Sequence, residues 1–230
     1  MFKNDMWVVI LAGGFGTRLP EYTKRMPKPM IKISNKPILL RIIDHYKKHG
    51  FSKFIIATGY KSKFIKNYFT KGYRNTHIET IFTGLNTMTG GRIKRLKNKL
   101  KNQTFLLTYG DGLSNVDINK LLKFHQKNRG YVTLTAVRPP ARFGAIKIRG
   151  NKVSYFKEKS SLDEGWINGG FFVFEPEIFK FIASDKTFLE KEPLEKIGKL
   201  GKLFAFKHNG FWQCMDTKRD KEILEKKFKK

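Results

Sequence analysis

The hydrophobic positions in the first 137 residues follow two alternating patterns. Short continuous apolar runs, such as residues 7–11 and 54–58, predict strands that are buried on both faces. Apolar residues spaced three or four apart, as in residues 38–46, predict amphipathic helices between them. Further strands are predicted at residues 77–82, 104–109 and 131–137, and further helices at residues 64–69, 93–100 and 117–122. The alternation predicts an α/β fold, a Rossmann-like open, mixed but mainly parallel sheet with helices on both faces.

The pattern changes after residue 137. Residues 145–149 and 153–157 flank Gly150-Asn151, which predicts a β-hairpin. Residues 168–174 predict a further strand, and Thr217 begins a basic C-terminal helix. Because no linker, repeat or low-complexity segment separates the two parts, we expect one domain over residues 1–230, with its halves meeting at about residue 137.

A glycine-rich segment directly follows the first predicted strand. It reads Leu11-Ala12-Gly13-Gly14-Phe15-Gly16-Thr17-Arg18, and Pro27-Lys28-Pro29 lies downstream. Glycines let backbone amides approach a ligand closely, while Thr17, Arg18 and Lys28 add a hydroxyl and two cations. The segment lacks the Gly-Lys-Ser/Thr of a Walker A loop and the last glycine of a dinucleotide fingerprint. It predicts a different kind of phosphate-binding loop.

Asp111 follows another predicted strand and lies between Gly110 and Gly112. An aspartate at the carboxyl end of a parallel strand points into the crevice where open α/β sheets bind ligands. Beside phosphates a carboxylate needs a hard cation between the two anions, so Asp111 is a candidate magnesium ligand. The alternative is a turn aspartate that accepts hydrogen bonds from its own backbone.

Asp216 is the best candidate for a second carboxylate at such a cation. It ends the strand-like segment Phe211-Trp212-Gln213-Cys214-Met215 and precedes Thr217 at the start of the last helix. Its alternative role is that of an ordinary helix N-cap.

The string from Gly13 to Arg18, with Pro27-Lys28-Pro29-Met30, resembles the signature of the sugar-1-phosphate nucleotidyltransferases, and the resemblance covers nearly the whole chain. Later segments resemble the cytidylyltransferase branch of that family, at residues 88–92, 107–112, 140–145 and 211–217. The resemblance implies an Mg²⁺-dependent enzyme that transfers the cytidylyl group of CTP to glucose 1-phosphate, giving CDP-glucose and pyrophosphate. It also implies that the first half binds nucleotide and the second half binds sugar.

The resemblance assigns roles to individual residues. The catalytic candidates are Arg18, Lys28 and Asp111, and the metal ligands would be Asp111 and Asp216. The nucleotide-binding candidates are Leu11, Ala12, Gly13, Gly14, Gly16, Thr17, Thr89, Gly90 and Arg92. The sugar-phosphate-binding candidates are Glu158, Lys159, Asn168 and Gly169, where Gly169 and Gly170 are expected to leave room for a ring.

The sugar-side candidates have ordinary alternatives. Glu158-Lys159 is followed by Ser160 where the family carries proline, and lysines are abundant on this surface. Asn168-Gly169-Gly170 is equally compatible with a strand that contains a glycine bulge.

The composition indicates which partners and which cellular compartment to expect. Lys and Arg number 47 against 19 Asp and Glu, giving a net charge of +28. This charge would attract polyanions. However, the basic residues are dispersed and no nucleic-acid-binding motif accompanies them, so we expect no specific nucleic-acid partner. The single cysteine, Cys214, excludes an internal disulfide, and the absence of a visible signal or membrane-length apolar stretch predicts a cytoplasmic protein without a membrane partner.

The resemblance further implies a homo-oligomer. The stretch between Tyr68 and Thr83 is shorter than is typical of the cytidylyltransferase branch, and in relatives this region helps subunits contact each other.

Two other functions stay open: a nucleotidyltransferase for another base or sugar phosphate, and a non-catalytic basic binding protein on the same scaffold.

Overall fold

The computed structural model describes residues 5–139, 145–157 and 165–229. Its helices are α1 (Pro20–Thr23), α2 (Ile38–Lys48), α3 (Ser62–Tyr68), α4 (Thr89–Lys94), α5 (Lys97–Leu100), α6 (Ile118–Asn128), α7 (Glu192–Lys199) and α8 (Lys218–Phe228). Its strands are β1 (Trp7–Ala12), β2 (Lys32–Ile33), β3 (Lys36–Pro37), β4 (Lys53–Thr58), β5 (His77–Phe82), β6 (Phe105–Tyr109), β7 (Gly112–Ser114), β8 (Val132–Val137), β9 (Ala145–Arg149), β10 (Lys152–Lys157), β11 (Ile167–Phe174), β12 (Leu203–His208) and β13 (Trp212–Cys214). Short 3₁₀ turns occur at Lys28–Met30 and Pro176–Lys180.

The central sheet has seven strands in the order β12-β8-β11-β6-β1-β4-β5. Strands β6, β1, β4 and β5 run parallel, as do β8 and β12, whereas β11 is antiparallel to both of its neighbours. The predicted mixed, mainly parallel α/β sheet is therefore confirmed. Within the described part of the chain, no helix has the length and apolar content needed to cross a membrane.

The continuous apolar runs arise because both faces of the sheet are buried. In β1, Val8 and Ile10 pack against one layer of helices, which includes α2 and α6. Val9 and Leu11 pack against the other layer, which includes α4, α5 and α7. Successive side chains of a strand point to opposite faces, so a strand covered on both sides must be apolar at every position.

One predicted helix differs from the structure, and not every element was predicted. The apolar spacing at residues 93–100 predicts one helix, but the chain forms α4 and α5 with an interruption at Arg95 and Leu96. Ile93, Leu96 and Leu100 still pack into the same core, and like charges four residues apart, as at Arg95 and Lys99, disfavour a continuous helix. Strand β12, a parallel edge strand, and helix α7 were not predicted.

Candidate active site

The glycine-rich segment and Asp111 lie side by side at the carboxyl end of the sheet. Strands β1 and β6 are parallel neighbours with Leu11 opposite Tyr109, and the Gly110 amide donates to the Leu11 carbonyl at 2.9 Å. A cavity of about 630 Å³ opens at this edge. Among the sequence-predicted residues, its lining includes Leu11, Ala12, Gly13, Gly14, Gly16, Thr17, Arg18, Lys28, Thr89, Arg92, Asp111, Asn168 and Asp216.

Gly16 fixes the shape of the glycine-rich loop. Its φ of +66° lies in the left-handed region, and a Cβ at this position would lie 2.7 Å from Cγ2 of Thr23. The Gly16 carbonyl accepts hydrogen bonds from the Leu19 amide at 3.1 Å and from the Thr23 hydroxyl at 3.2 Å. The loop is thus closed onto α1, while Gly14 and Thr17 stay exposed at the cavity.

Lys28 lies between two prolines and begins a 3₁₀ turn, so its backbone has little freedom. Its side chain is only 10% exposed, and its Nζ donates to Oδ2 of Asp111 at 2.5 Å and to Oδ1 of Asp216 at 2.6 Å. Arg18, which is largely exposed, places Nη2 2.9 Å from the same oxygen of Asp216. The structure therefore brings together four predicted residues from three separate segments of the sequence.

A small two-stranded sheet brings the two carboxylates into register. Strand β7 follows Asp111 and pairs antiparallel with β13, which precedes Asp216. The Met215 amide donates to the carbonyl of Asp111 at 2.9 Å. Because this pairing sets the two segments against each other, both aspartates face the ammonium group of Lys28.

The N-cap of α8 is Thr217, not Asp216. The Thr217 hydroxyl accepts from the Asp220 amide, and the Asp220 carboxylate accepts from the amides of Asp216 and Thr217 at 3.1 and 2.8 Å. This is a capping box, which satisfies the free amides of the first helical turn. The Asp216 side chain is consequently left to face the cavity.

Lys28 and Asp216 shift each other's pKa. Burial alone would lower the pKa of Lys28, but Asp111 and Asp216 outweigh burial and raise it. Burial alone would raise the pKa of Asp216, but Lys28 and then Arg18 lower it. The pKa of the Cys214 thiol rises to about 12, through burial and then through Asp216 and Asp111. The lysine is therefore held charged between carboxylates, and the thiol beside them stays protonated.

The carboxylate pair has the chemistry of a site for a hard divalent cation. Asp111 Oδ2 and Asp216 Oδ1 converge on one cationic atom, Lys28 Nζ, and carboxylate oxygens are preferred ligands of such cations. Within the described residues, no cluster of three or more His, Cys, Asp or Glu side chains forms a self-sufficient metal site. The two carboxylates thus fit a cation whose coordination shell is completed by oxygen atoms of bound ligands.

Arg92 occupies a different environment from the one predicted. It is 4% exposed, and its guanidinium lies beneath the loops, where it donates to backbone and hydroxyl oxygens. The acceptors are the carbonyls of Thr58, Gly84, Gly13 and Leu85, at 3.2, 2.8, 2.9 and 3.3 Å, and the Thr83 hydroxyl at 2.8 Å. Gly13 has no side chain because a Cβ there would overlap this guanidinium. Arg92 thus joins the glycine-rich loop to residues 83–85.

Three glycines predicted near the ligand pack against protein instead. Gly90 lies on the backbone of Thr187, where a Cβ would be 2.8 Å from a carbonyl oxygen. A Cβ on Gly169 would be 2.7 Å from Val137, and a Cβ on Gly170 would overlap the ring of Tyr109. Val137 and Tyr109 thus fill the space next to Gly169 and Gly170 that a side chain would take, and the contact of these glycines with a sugar ring stays a prediction.

Asn168 lines the cavity as expected, but its polar atoms are already engaged. Oδ1 accepts from the Gly170 amide at 2.9 Å, and Nδ2 donates to the Tyr109 hydroxyl at 3.3 Å. The indole of Trp212 donates to the Gly169 carbonyl at 2.7 Å and also lines the cavity. Glu158, Lys159 and the segment 140–144 lie outside the described residues.

Sequence reasoning missed several cavity residues, among them three with hydrogen-bonding side chains: Tyr109, Glu190 and Trp212. Tyr109 and Trp212 lie within motifs that were singled out for their aspartates, so their proximity to those residues was a usable signal. Glu190 lies in a polar stretch before α7 without a motif. Its hydrogen bonds to Tyr109 and Thr89 depend on tertiary packing.

Comparison with known proteins agrees with this geometry. Residues 7–214 match the family described as nucleotidyl transferase. The chain is 44% identical over 243 residues to the glucose-1-phosphate cytidylyltransferase of Salmonella typhimurium, with 96% of this chain and 95% of the relative covered. It is 35% identical over 200 residues to the D-glycero-alpha-D-manno-heptose 1-phosphate guanylyltransferase of Aneurinibacillus thermoaerophilus, with 83% and 86% covered.

A solved structure agrees as well. HddC from Yersinia pseudotuberculosis superposes with a TM-score of 0.77 at 28% identity, with 97% of this chain and all of that chain covered. The chain is therefore an enzyme of the nucleotidyl transferase family, in the branch of the glucose-1-phosphate cytidylyltransferases.

Proposed function

We propose that this enzyme transfers the cytidylyl group of CTP to α-D-glucose 1-phosphate, releasing pyrophosphate and forming CDP-glucose. One observation carries the proposal: Lys28 and the Asp111–Asp216 pair converge beside a glycine-rich loop, in one cavity. The choice of CTP and glucose is supported by the similarity to the Salmonella cytidylyltransferase over nearly the full length of both chains.

The proposed reaction is an in-line displacement at phosphorus. An oxygen of the sugar phosphate forms a bond to the α-phosphorus of CTP, and the bond from that phosphorus to the β-phosphate oxygen breaks. The electron pair leaves with pyrophosphate. No general base is required, because the attacking phosphate is ionised near neutral pH. The protein's task is to align two anions and to neutralise the charge that spreads over the transferring group.

The cations of the site suit that task. We assign Lys28, which is far more buried than Arg18, to the α-phosphate and the incoming sugar phosphate. Arg18 is exposed at the cavity and has a planar fork suited to pyrophosphate, so we assign it to the β- and γ-phosphates. Gly14, Gly16 and Thr17 would supply amide and hydroxyl donors, because they form the wall of the cavity beside Arg18.

Family members generally use a divalent metal, and we propose Mg²⁺ held by Asp111 and Asp216. When bound, the ion would neutralise phosphate charge that two bare carboxylates would repel. Lys28 bonds to the same carboxylate oxygens, so it must release at least part of this contact when it engages phosphate. The lysine would thus be available for the substrate only when another cation balances Asp111 and Asp216.

The remaining assignments are also proposals. We infer one domain, in which about residues 1–137 bind the nucleotide and about residues 138–230 bind the sugar phosphate, with Glu158, Lys159 and Asn168 on the sugar side. Shared participation of both halves in the central sheet supports this. We also infer a homo-oligomer in the cytoplasm with no nucleic-acid or membrane partner.

The first test is pyrophosphate release with glucose 1-phosphate and Mg²⁺, with CTP, UTP, dTTP, GTP and ATP offered separately. We expect turnover with CTP and little with the others. Turnover with GTP and a heptose 1-phosphate would favour the activity named for the Aneurinibacillus relative and contradict the choice of CTP. Absence of turnover with every nucleotide and a panel of sugar 1-phosphates would contradict the enzymatic proposal itself.

A further inference from the structure

Glu190 is an exposed carboxylate that is nevertheless held in one orientation at the cavity wall. Its Oε1 accepts a hydrogen bond from the Tyr109 hydroxyl at 2.6 Å, and its Oε2 accepts one from the Thr89 hydroxyl at 2.6 Å. Exposed glutamates ordinarily retain much rotamer freedom, and fixing them has an entropic cost. Short charge-assisted bonds to both oxygens offset this cost and fix the plane of the carboxylate.

The two hydroxyls are themselves oriented by other protein groups. The Leu189 amide donates to Oγ1 of Thr89 at 2.9 Å, so the hydroxyl hydrogen of Thr89 is free for Glu190. Asn168 donates to the Tyr109 hydroxyl at 3.3 Å, which leaves the phenolic hydrogen for Glu190. Burial and then Glu190 raise the pKa of Tyr109, so the phenol remains a donor. A chain of hydrogen bonds thus runs from Asn168 through Tyr109 and Glu190 to Thr89.

The chemistry of this group restricts what it can bind. A carboxylate accepts hydrogen bonds at about four lone-pair positions and donates none. Two of these positions are taken by Tyr109 and Thr89, so further partners from the cavity must be donors. Phosphate would be repelled, and its place is beside Arg18 and Lys28. A ring that carries hydroxyl groups next to its phosphate matches this cavity, because its hydroxyls can donate to Glu190 while its phosphate lies near Arg18 and Lys28.

We propose that Glu190 accepts hydrogen bonds from ring hydroxyls of the sugar 1-phosphate and is a specificity-determining residue for the sugar. The inference rests on the proposed function and adds to it a residue outside the recognised motifs. Its link to Asn168 through a single tyrosine hydroxyl places it next to β11, the strand that carries this sugar-side candidate. Through Thr89 it is also tied to α4, so that sugar contact and nucleotide contact share one wall.

The test compares Glu190→Gln with the unaltered enzyme in steady-state kinetics. The carboxamide keeps the size of the side chain but has a single acceptor oxygen and no charge. We expect KM for glucose 1-phosphate to rise about tenfold, since hydrogen bonds to charged groups are the stronger class, while KM for CTP changes less than twofold. Glu192→Gln is the matched control, because Glu192 is exposed on the same segment and pairs with Lys196 on α7.

Deoxy analogues identify the hydroxyl involved. Each glucose 1-phosphate analogue that lacks one ring hydroxyl is assayed with both enzymes. One of these analogues should be penalised with the unaltered enzyme and not penalised further with Glu190→Gln, as expected for two changes that remove the same contact. A purely structural role would leave all analogues equally penalised in both enzymes.

Other results overturn the inference without touching the proposed function. A raised KM for CTP with an unchanged KM for glucose 1-phosphate would assign Glu190 to the nucleotide. Unchanged KM values with a lower melting temperature would reduce it to a link between α4 and β6. If the unaltered enzyme prefers another sugar 1-phosphate, the comparison is made with that sugar. If it turns over none, the proposed function fails, and calorimetric binding of glucose 1-phosphate to both proteins still decides the role of Glu190.

Discussion

Lys28 and Arg92 are two buried cations next to the glycine-rich loop, and their partners differ in kind. Lys28 is held by the carboxylates of Asp111 and Asp216. Within the described part of the chain, Arg92 is held by carbonyl oxygens and one threonine hydroxyl. Burial lowers the pKa of Arg92, whereas the carboxylates raise the pKa of Lys28 against the effect of burial.

The difference separates a chemical role from an architectural one. An ion pair at a solvent-accessible cavity can exchange partners when phosphates and another cation arrive, since charge remains balanced throughout. A guanidinium bound to several buried carbonyls cannot leave without depriving all of these acceptors of a hydrogen-bond partner. We therefore interpret Lys28 as the reactive cation, which takes part in the chemistry. We interpret Arg92 as a structural cation, which holds together the loops proposed to bind the nucleotide.

The largest expected effect comes from removing the reactive cation. Lys28→Ala should lower kcat by about 100- to 1000-fold, with little change in either substrate KM, because its charge acts mainly on the transition state. Steady-state pyrophosphate release measures this. Lys32→Ala, an exposed lysine nearby, is the control. Turnover near that of the unaltered enzyme would remove Lys28 from the mechanism.

Removal of the structural cation, Arg92, should mainly lower the stability of the fold. Arg92→Met leaves the carbonyls of Gly13, Thr58 and Gly84 without this partner, and we expect the free energy of unfolding to fall by about 3 kcal/mol or more. Urea unfolding gives this value. Lys28→Met should cost less, because Asp111 and Asp216 can regain water at the cavity. Arg95→Met is the matched control, since Arg95 is exposed and an ion pair at the surface, such as that with Asp185, contributes little to stability. An equal loss for Lys28→Met and Arg92→Met would erase the distinction.

The smallest expected effect concerns metal affinity of the substrate-free enzyme. Lys28 neutralises the oxygens that would hold a divalent cation, so Lys28→Met should bind Mn²⁺ at least about tenfold more tightly than the unaltered enzyme, equivalent to about 1.4 kcal/mol. The electron paramagnetic resonance signal of free Mn²⁺ measures the affinity. Adding Asp216→Asn to Lys28→Met should abolish the gain. Equal affinities of the unaltered enzyme and Lys28→Met would show that Lys28 and the ion do not share these carboxylates.

The fold was largely predictable because its strongest signal is local. Residues 7–11 and 54–58 are apolar at each position or nearly so, and in the structure both strands are covered on both faces. The antiparallel insertion of β11 between β6 and β8 was not readable from its own residues, because its composition suits either direction. Strand direction depends on how the chain returns to the sheet.

The sequence predicted which residues meet at the site where a motif marks them. It predicted less well how a side chain is oriented, because that depends on the surrounding structure. Arg18, Lys28, Asp111 and Asp216 lie in recognisable segments, and the structure brings them together. Arg92 lies in a recognisable segment too, yet its guanidinium faces the protein backbone. The orientation of a long side chain depends on which acceptors are buried near it, and no local pattern reports that.

The sequence by itself determined the strand–helix alternation, the glycine-rich loop after β1 and the identity of the charged residues available for chemistry. Backbone preferences and hydrophobic periodicity act over a few residues, so they are legible in the chain. Only the tertiary structure decided that β7 pairs with β13 and aligns Asp111 with Asp216, that Tyr109 fills the space left by Gly170, and that Glu190 faces the cavity. These outcomes depend on contacts between segments far apart in sequence, whose geometry is set by the packing of the whole sheet.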